Sequence, residues 1–189
     1  MALSEPPVTA AWQHRGARAG FEVLEIARSG AGWRLHGTTA AVEDGVPWTV
    51  DYVIEVDERW HTRGARVAHL LGGGPGEVTV QRTGEGRWTV DDRYVPELDG
   101  CLDVDLESSA MTNALPVHRL GLPVGRTADV PAVYVRAADL TVDRLEQTYT
   151  RAGDTAYDYA APAFDFTARL LYDDSGFVLE YPGLATRHA

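Results

Sequence analysis

Two carboxylates one residue apart, in "CLDVDL", are the side chains best spaced to do chemistry. On an extended strand Cys101, Asp103 and Asp105 share one face, and Leu102, Val104 and Leu106 take the other. Carboxylates at i and i+2 lie roughly 6–7 Å apart along a strand, so Asp103 and Asp105 could act as acid and base on a glycosidic bond. The same pair could bind a sugar hydroxyl, or form ion pairs with arginines on a neighbouring strand. The ion-pair reading describes the commoner arrangement.

A second polar face comes from "EQTYTRA", where Gln147, Tyr149 and Arg151 alternate with Thr148 and Thr150. "YDYAAP" then adds Tyr157 and Tyr159. Flat rings stack while their hydroxyls donate hydrogen bonds, which suits a sugar or headgroup site. A solvated sheet face is the alternative. In "TNALPVHRL", Asn113 tolerates left-handed geometry and the Leu-Pro step disfavours a helix at Leu115. The stretch is expected to be a turn with an extended exit that aims Arg119 at a pocket. Of the five tryptophans, Trp12, Trp33, Trp48 and Trp88 are read as core. Trp60 follows a turn at "VDER" and joins the candidate ligand contacts.

Other chemistries are excluded. All 17 basic residues are arginine, which rules out Schiff-base catalysis and a phosphate-loop lysine within this chain. "LGGGPGE" fails the dinucleotide pattern because Glu77 takes its third glycine position, and is read as a hairpin loop. Ser108 and Ser109 precede His118 without a nucleophile elbow around them. The six histidines are scattered and the single cysteine is Cys101, so no metal, cofactor or internal disulfide is expected.

The elements that must position these residues are strands. In "VPWTVDYVIEV", Val46, Trp48, Val50, Tyr52, Ile54 and Val56 share one face; in "FDFTARLLYD", Phe164, Phe166, Ala168, Leu170 and Tyr172 do the same. "FEVLEIA", "GWRLHGT", "EVTVQR", "GRWTVDD", "AVYVRA" and "GFVLEY" are shorter runs, separated by "SGAG", "EDG", "TGEG" and "DDSG". Helical signal is confined to Ser108–Leu115, held to about one turn by Pro116, and to Asp139–Glu146. The fold class is therefore mostly β: a large, strongly curved antiparallel sheet or barrel-like roll with one or two short helices. One domain spans residues 1–189, with about ten residues at the start and about five at the end expected to be flexible.

A net charge of −11 argues against nucleic acid and against docking on anionic membranes. The first residues, "MALSEPPVTA", lack a signal-peptide pattern, and no run is long and apolar enough to span a bilayer. A cytoplasmic protein without stable membrane anchoring is the expectation.

Taken in order, "GCLDVDL", "TNALPVHRL", "QTYTR", "YDYAAP" and "GFVLEYPGL", with weaker matches in "GWRLHGT", "YVIEVDERWHTR" and "GRWTVD", resemble the bacterial putative glycolipid-binding family from about Trp12 to Leu184. The resemblance implies a curved antiparallel β architecture, similar in outline to the half-barrels that carry lipoproteins between bacterial membranes. It implies binding of a glycolipid or other long-chain amphiphile, with no assigned catalytic residues. Members tend to carry two arginines after the Leu-Pro step where this chain has His118-Arg119, so a grip on an anionic headgroup would be weaker here or depend on His118 charging. The expected site is an apolar cavity lined by the two long alternating strands, with a polar mouth of Asp103, Asp105, Asn113, Arg119, Gln147, Tyr149 and Arg151. A hydrolase or lyase using Asp103 and Asp105, and an interaction domain without ligand, are the alternatives.

Overall fold

Glycine- and aspartate-rich turns cut the chain into short antiparallel strands. The structure, a computed structural model, describes residues 3–71 and 76–189. Before the helix the strands are β1 (Thr9–His14), β2 (Arg18–Ser29), β3 (Gly32–Glu43), β4 (Val46–Val56), β5 (Thr62–Leu71), β6 (Gly76–Arg82), β7 (Trp88–Val90), β8 (Arg93–Tyr94) and β9 (Asp103–Leu106). Helix α1 (Ala114–Leu120) follows. After it come β10 (Thr127–Asp129), β11 (Ala132–Val135), β12 (Val142–Leu145), β13 (Thr148–Arg151), β14 (Ala156–Ala161), β15 (Phe166–Tyr172), β16 (Val178–Tyr181) and β17 (Ala185–Arg187). The "EDG" turn has Asp44 and Gly45 both at positive φ between the paired Glu43 and Val46, as a tight hairpin between right-twisted strands requires.

Among the described residues fourteen strands make one sheet, ordered β10-β13-β14-β15-β16-β17-β1-β2-β3-β4-β5-β6-β7-β8. Two meanders, one from each end of the chain, meet where β17 pairs with β1. The end strands β10 and β8 do not pair with each other, so the sheet curls without closing. A second sheet holds β9 parallel to β11 and β12 antiparallel to β11.

The stretch from Cys101 to Val117 fills the trough. Cys101, Val104, Leu106, Met111, Ala114 and Leu115 are essentially without exposure. Residues on one face of both arms reach it. Thr62 N–H donates to the Leu102 carbonyl; the Trp88 indole donates to the Cys101 carbonyl and the Thr39 hydroxyl to that of Ser108. From the other arm, the Tyr149 hydroxyl donates to Asn113 Oδ1 and the Tyr172 hydroxyl to the Asn113 carbonyl. The sheet therefore wraps around a segment of its own chain. On β4, Val50, Tyr52, Ile54 and Val56 are sealed against this core, so that face does not line a cavity as expected.

Several local readings are corrected. "TNALPVHRL" is helical: a 3-10 turn at Met111–Asn113 runs into α1, which ends at Gly121 with φ 52. Pro116 sits in the first turn, where its missing N–H has no intrahelical acceptor to lose. Residues 139–146 hold strand β12 and no helix, because β12 follows a turn with Leu140 at φ 59 and pairs with β11. Phe164 belongs to a 3-10 turn (Pro162–Phe164), and Asp165 at φ 48 re-aims the chain, so the alternation of β15 starts at Phe166. The last residues pair with β1 in the middle of the large sheet. The hairpin-loop reading of "LGGGPGE" falls on residues 72–75, outside the described residues.

Candidate functional site

Where β9 gives way to the helical segment, the filling becomes small. Ser109 and Ala110 face Ala161 at the end of β14 and Ala185 on β17 across a cavity of about 230 Å³. Aromatic rings supply much of the remaining wall: Tyr134, Tyr159, Phe164, Phe166 and Tyr181. Tyr159, Phe166 and Tyr181 contact one another with ring centroids 5.9–6.2 Å apart, and Tyr134 lies 5.5 Å from Phe164. Four ionisable groups complete the wall, Asp105 and Glu107 with His14 and Arg18.

Asp105 accepts hydrogen bonds from the Thr112 hydroxyl (2.9 Å) and the Gln147 amide. Burial pushes its carboxyl up to about 6, against those donors, and the like charges of Glu107 and Asp103 add to the rise. Asn113 also touches the cavity; its Oδ1 accepts from Tyr149 and its amide donates to the Ala110 carbonyl. Of the expected site residues, Asp105, Asn113 and Tyr159 line this cavity, while Gln147 and Tyr149 stand behind them as their hydrogen-bond partners.

The others lie elsewhere. Asp103 is held by both Nε and Nη2 of Arg119, at 2.6–3.1 Å, with 2 % and 10 % of the two side chains exposed. The ion-pair reading thus describes Asp103, with its arginine on α1 where a neighbouring strand was expected. Burial nonetheless pushes the Asp103 carboxyl upward. Arg151 donates to the carbonyls of Leu122, Gly153 and Asp154, and with Tyr157 lines a separate cavity of about 200 Å³. Trp60 is buried and stacks on His118 at 3.7 Å. Burial pushes that imidazole down to about 4, so His118 is neutral near pH 7 and does not grip an anion.

A polar cluster that the sequence reading missed lies beside the cavity. Glu22, fully buried, accepts from the Tyr52 hydroxyl (2.5 Å), the Ser109 hydroxyl and the Ala110 N–H (2.7 Å). His14 Nε2 is 3.4 Å from Oε2, the oxygen that accepts from the Ala110 N–H. Burial and this carboxylate hold the Tyr52 phenol well above its ordinary value. Tyr52 reaches Glu22 by crossing Gly37 on β3, where any Cβ would collide with the ring. The signal was present: Glu22 is in period-two phase with Leu24 and Ile26, and His14 with Trp12.

The family model described as "Putative glycolipid-binding" matches residues 9–187. The chain belongs to this family. A crystal structure of a DUF1089 family protein from Pseudomonas aeruginosa superposes with a TM-score of 0.80 at 31% identity, covering 100% of this chain and 97% of that one. A β-barrel-like protein of the unknown-function domain DUF1849 from Brucella abortus gives 0.52 at 11% identity, covering 98% and 96%, and shows a shared fold alone. Comparison with curated proteins gives no match. Among the described residues no helix is long and apolar enough to cross a membrane. In this family member, small, aromatic and acidic side chains share the wall of the 230 Å³ cavity.

Proposed function

We propose that the protein binds an amphiphile by taking one end of it into the cavity between the inserted segment and strands β1, β14, β15 and β17. The single observation that carries this reading is an apolar, aromatic-walled space of about 230 Å³ with Asp105 at its wall. The family's description supports the ligand class. A cavity of roughly 150 Å³ accommodates benzene, so this one admits about nine heavy atoms. That volume takes a headgroup or the start of an alkyl chain, and the rest of a long amphiphile stays outside.

Buried methylenes contribute about 0.8 kcal/mol each, so a short buried segment with one or two polar contacts gives micromolar affinity after association costs. The test is native mass spectrometry of protein purified from a lipid-containing host, with thermal shifts on adding short alkyl amphiphiles. A copurifying amphiphile that Ala185→Leu displaces supports the reading. No copurifying lipid, and no shift with any headgroup, refutes it.

The acid–base alternative drawn on Asp103 and Asp105 is disfavoured, since Asp103 is engaged by Arg119 and does not line the wall that Asp105 shares with Glu107.

A further inference from the structure

The amide and aliphatic hydroxyl groups around the cavity are already engaged, which leaves the phenols of Tyr134, Tyr159 and Tyr181 as the neutral polar groups of its wall. Thr112 and Gln147 both donate to Asp105, Ser109 donates to Glu22, and Asn113 uses its oxygen on Tyr149 and its amide on Ala110. A neutral polyhydroxylated ring would find those phenols but no free amide or aliphatic hydroxyl here, and sugar recognition depends on larger arrays. What remains available is different: five aromatic rings and two carboxylates.

Neither carboxylate has a cationic partner among the described residues. Asp105 is held by neutral donors only, and Glu107 Oε2 accepts from the Ala137 N–H at 2.7 Å. The basic groups at the same wall are matched by acids outside it. Arg18 donates to the Glu107 carbonyl at 2.6 Å and lies 3.9 Å from Glu43, while His14 lies 3.4 Å from Glu22. The residual charge at the wall is therefore negative. Ring faces carry negative quadrupole potential, and a cation desolvated among them gains further.

Resting on the amphiphile reading above, we infer that this cavity selects an amphiphile with an organic-ammonium head over neutral or anionic ones. An amino-sugar glycolipid and a quaternary-ammonium lipid share that chemistry. In either, the charged nitrogen would lie by Asp105 with its carbon substituents against Tyr159, Phe166 and Tyr181.

The test uses four probes with one hexyl chain: hexyltrimethylammonium, hexyl glucosaminide, hexyl glucoside and hexyl phosphate, each titrated calorimetrically into the full chain. At least one cationic probe is expected to bind about tenfold more tightly than the glucoside, and the phosphate more weakly than either. The cationic probe that wins identifies the source. Asp105→Asn should bring it to the affinity of the glucoside. Phe164→Leu changes a residue 47 % exposed, which the fold readily bears, and should weaken trimethylammonium more than glucoside. Equal affinities, or tightest binding of the glucoside or phosphate, overturn the inference while leaving the amphiphile reading intact. Failure of every probe to bind removes both.

Discussion

Stability between neutral and mildly acidic pH should be a balance of two buried groups that pull in opposite directions. Burial pushes His118 from 6.5 down to about 4, and Asp105 from 3.8 up to about 6. The unfolded chain takes up a proton at His118 that the folded chain refuses, so this group costs stability as pH falls from about 6.5 to about 4. The folded chain takes up a proton at Asp105 before the unfolded one does, so this group adds stability as pH falls through about 6. Each unit of separation is worth about 1.4 kcal/mol, which sets each full effect at about 3 kcal/mol. From about pH 7 to about pH 5, His118 removes about 2 kcal/mol and Asp105 returns about 1. The Asp173 carboxylate raises His118 and so opposes the effect of burial there. The assay is urea unfolding at both pH values for wild type, His118→Phe and Asp105→Asn. Phenylalanine keeps a ring against Trp60 and cannot titrate. His118→Phe should lose about 2 kcal/mol less than wild type on acidification, and Asp105→Asn about 1 kcal/mol more. Parallel pH profiles in all three proteins would refute the reasoning.

Three further substitutions probe how the inserted segment is held. Glu22→Ala removes the acceptor of Tyr52, Ser109 and the Ala110 N–H and should lower unfolding free energy by about 3–5 kcal/mol in guanidinium titrations. Arg119→Met leaves Asp103 buried without its partner and should cost about 3–5 kcal/mol, and adding Asp103→Asn should recover part of it; additive losses in the double-mutant cycle would show that the pair does not interact. Gly37→Ala drives a methyl into the Tyr52 ring and should cost about 1–3 kcal/mol by urea unfolding, with the penalty largely absent in a Tyr52→Ala background.

The sheet was legible because period-two alternation needs only the local pattern: Val50, Tyr52, Ile54 and Val56 are buried as the spacing requires. The helix was not, since the bias at Leu115 against helical geometry is a modest local preference. Burying Met111, Leu115 and Val117 in the trough overrides it. The candidate site was half legible. Asp105, Asn113 and Tyr159 were singled out as polar groups on strand or turn positions, and they meet at one cavity. Glu22 and His14 were overlooked because an acid and a histidine on alternating strands pass for solvent-facing residues; in both the inward phase is set by Leu24 and Trp12. The partners of Asp103 and Gln147 could not be read, because Arg119 and Asp105 lie 16 and 42 residues away. The pairing depends on how the inserted segment folds back.

The cavity itself bears on function through what it costs. Residual voids destabilise cores by about 24 cal/mol per Å³, so a sealed 230 Å³ hole would cost about 5.5 kcal/mol. This cavity opens to solvent and carries Asp105 and Glu107 in its mostly apolar wall, which lowers that figure. The space persists because Ala110, Ala161 and Ala185 are small and point into it. Ala185→Leu adds three carbons at about 0.8 kcal/mol each, less roughly 0.5–1 kcal/mol of side-chain entropy. The variant should therefore be about 1.5 kcal/mol more stable than wild type in urea unfolding, and unable to retain a copurifying amphiphile. Greater stability with lost binding marks a space kept open for a ligand. A destabilised Ala185→Leu would mean that the wall is already closed around Ala185, and the cavity would then have no claim to hold anything.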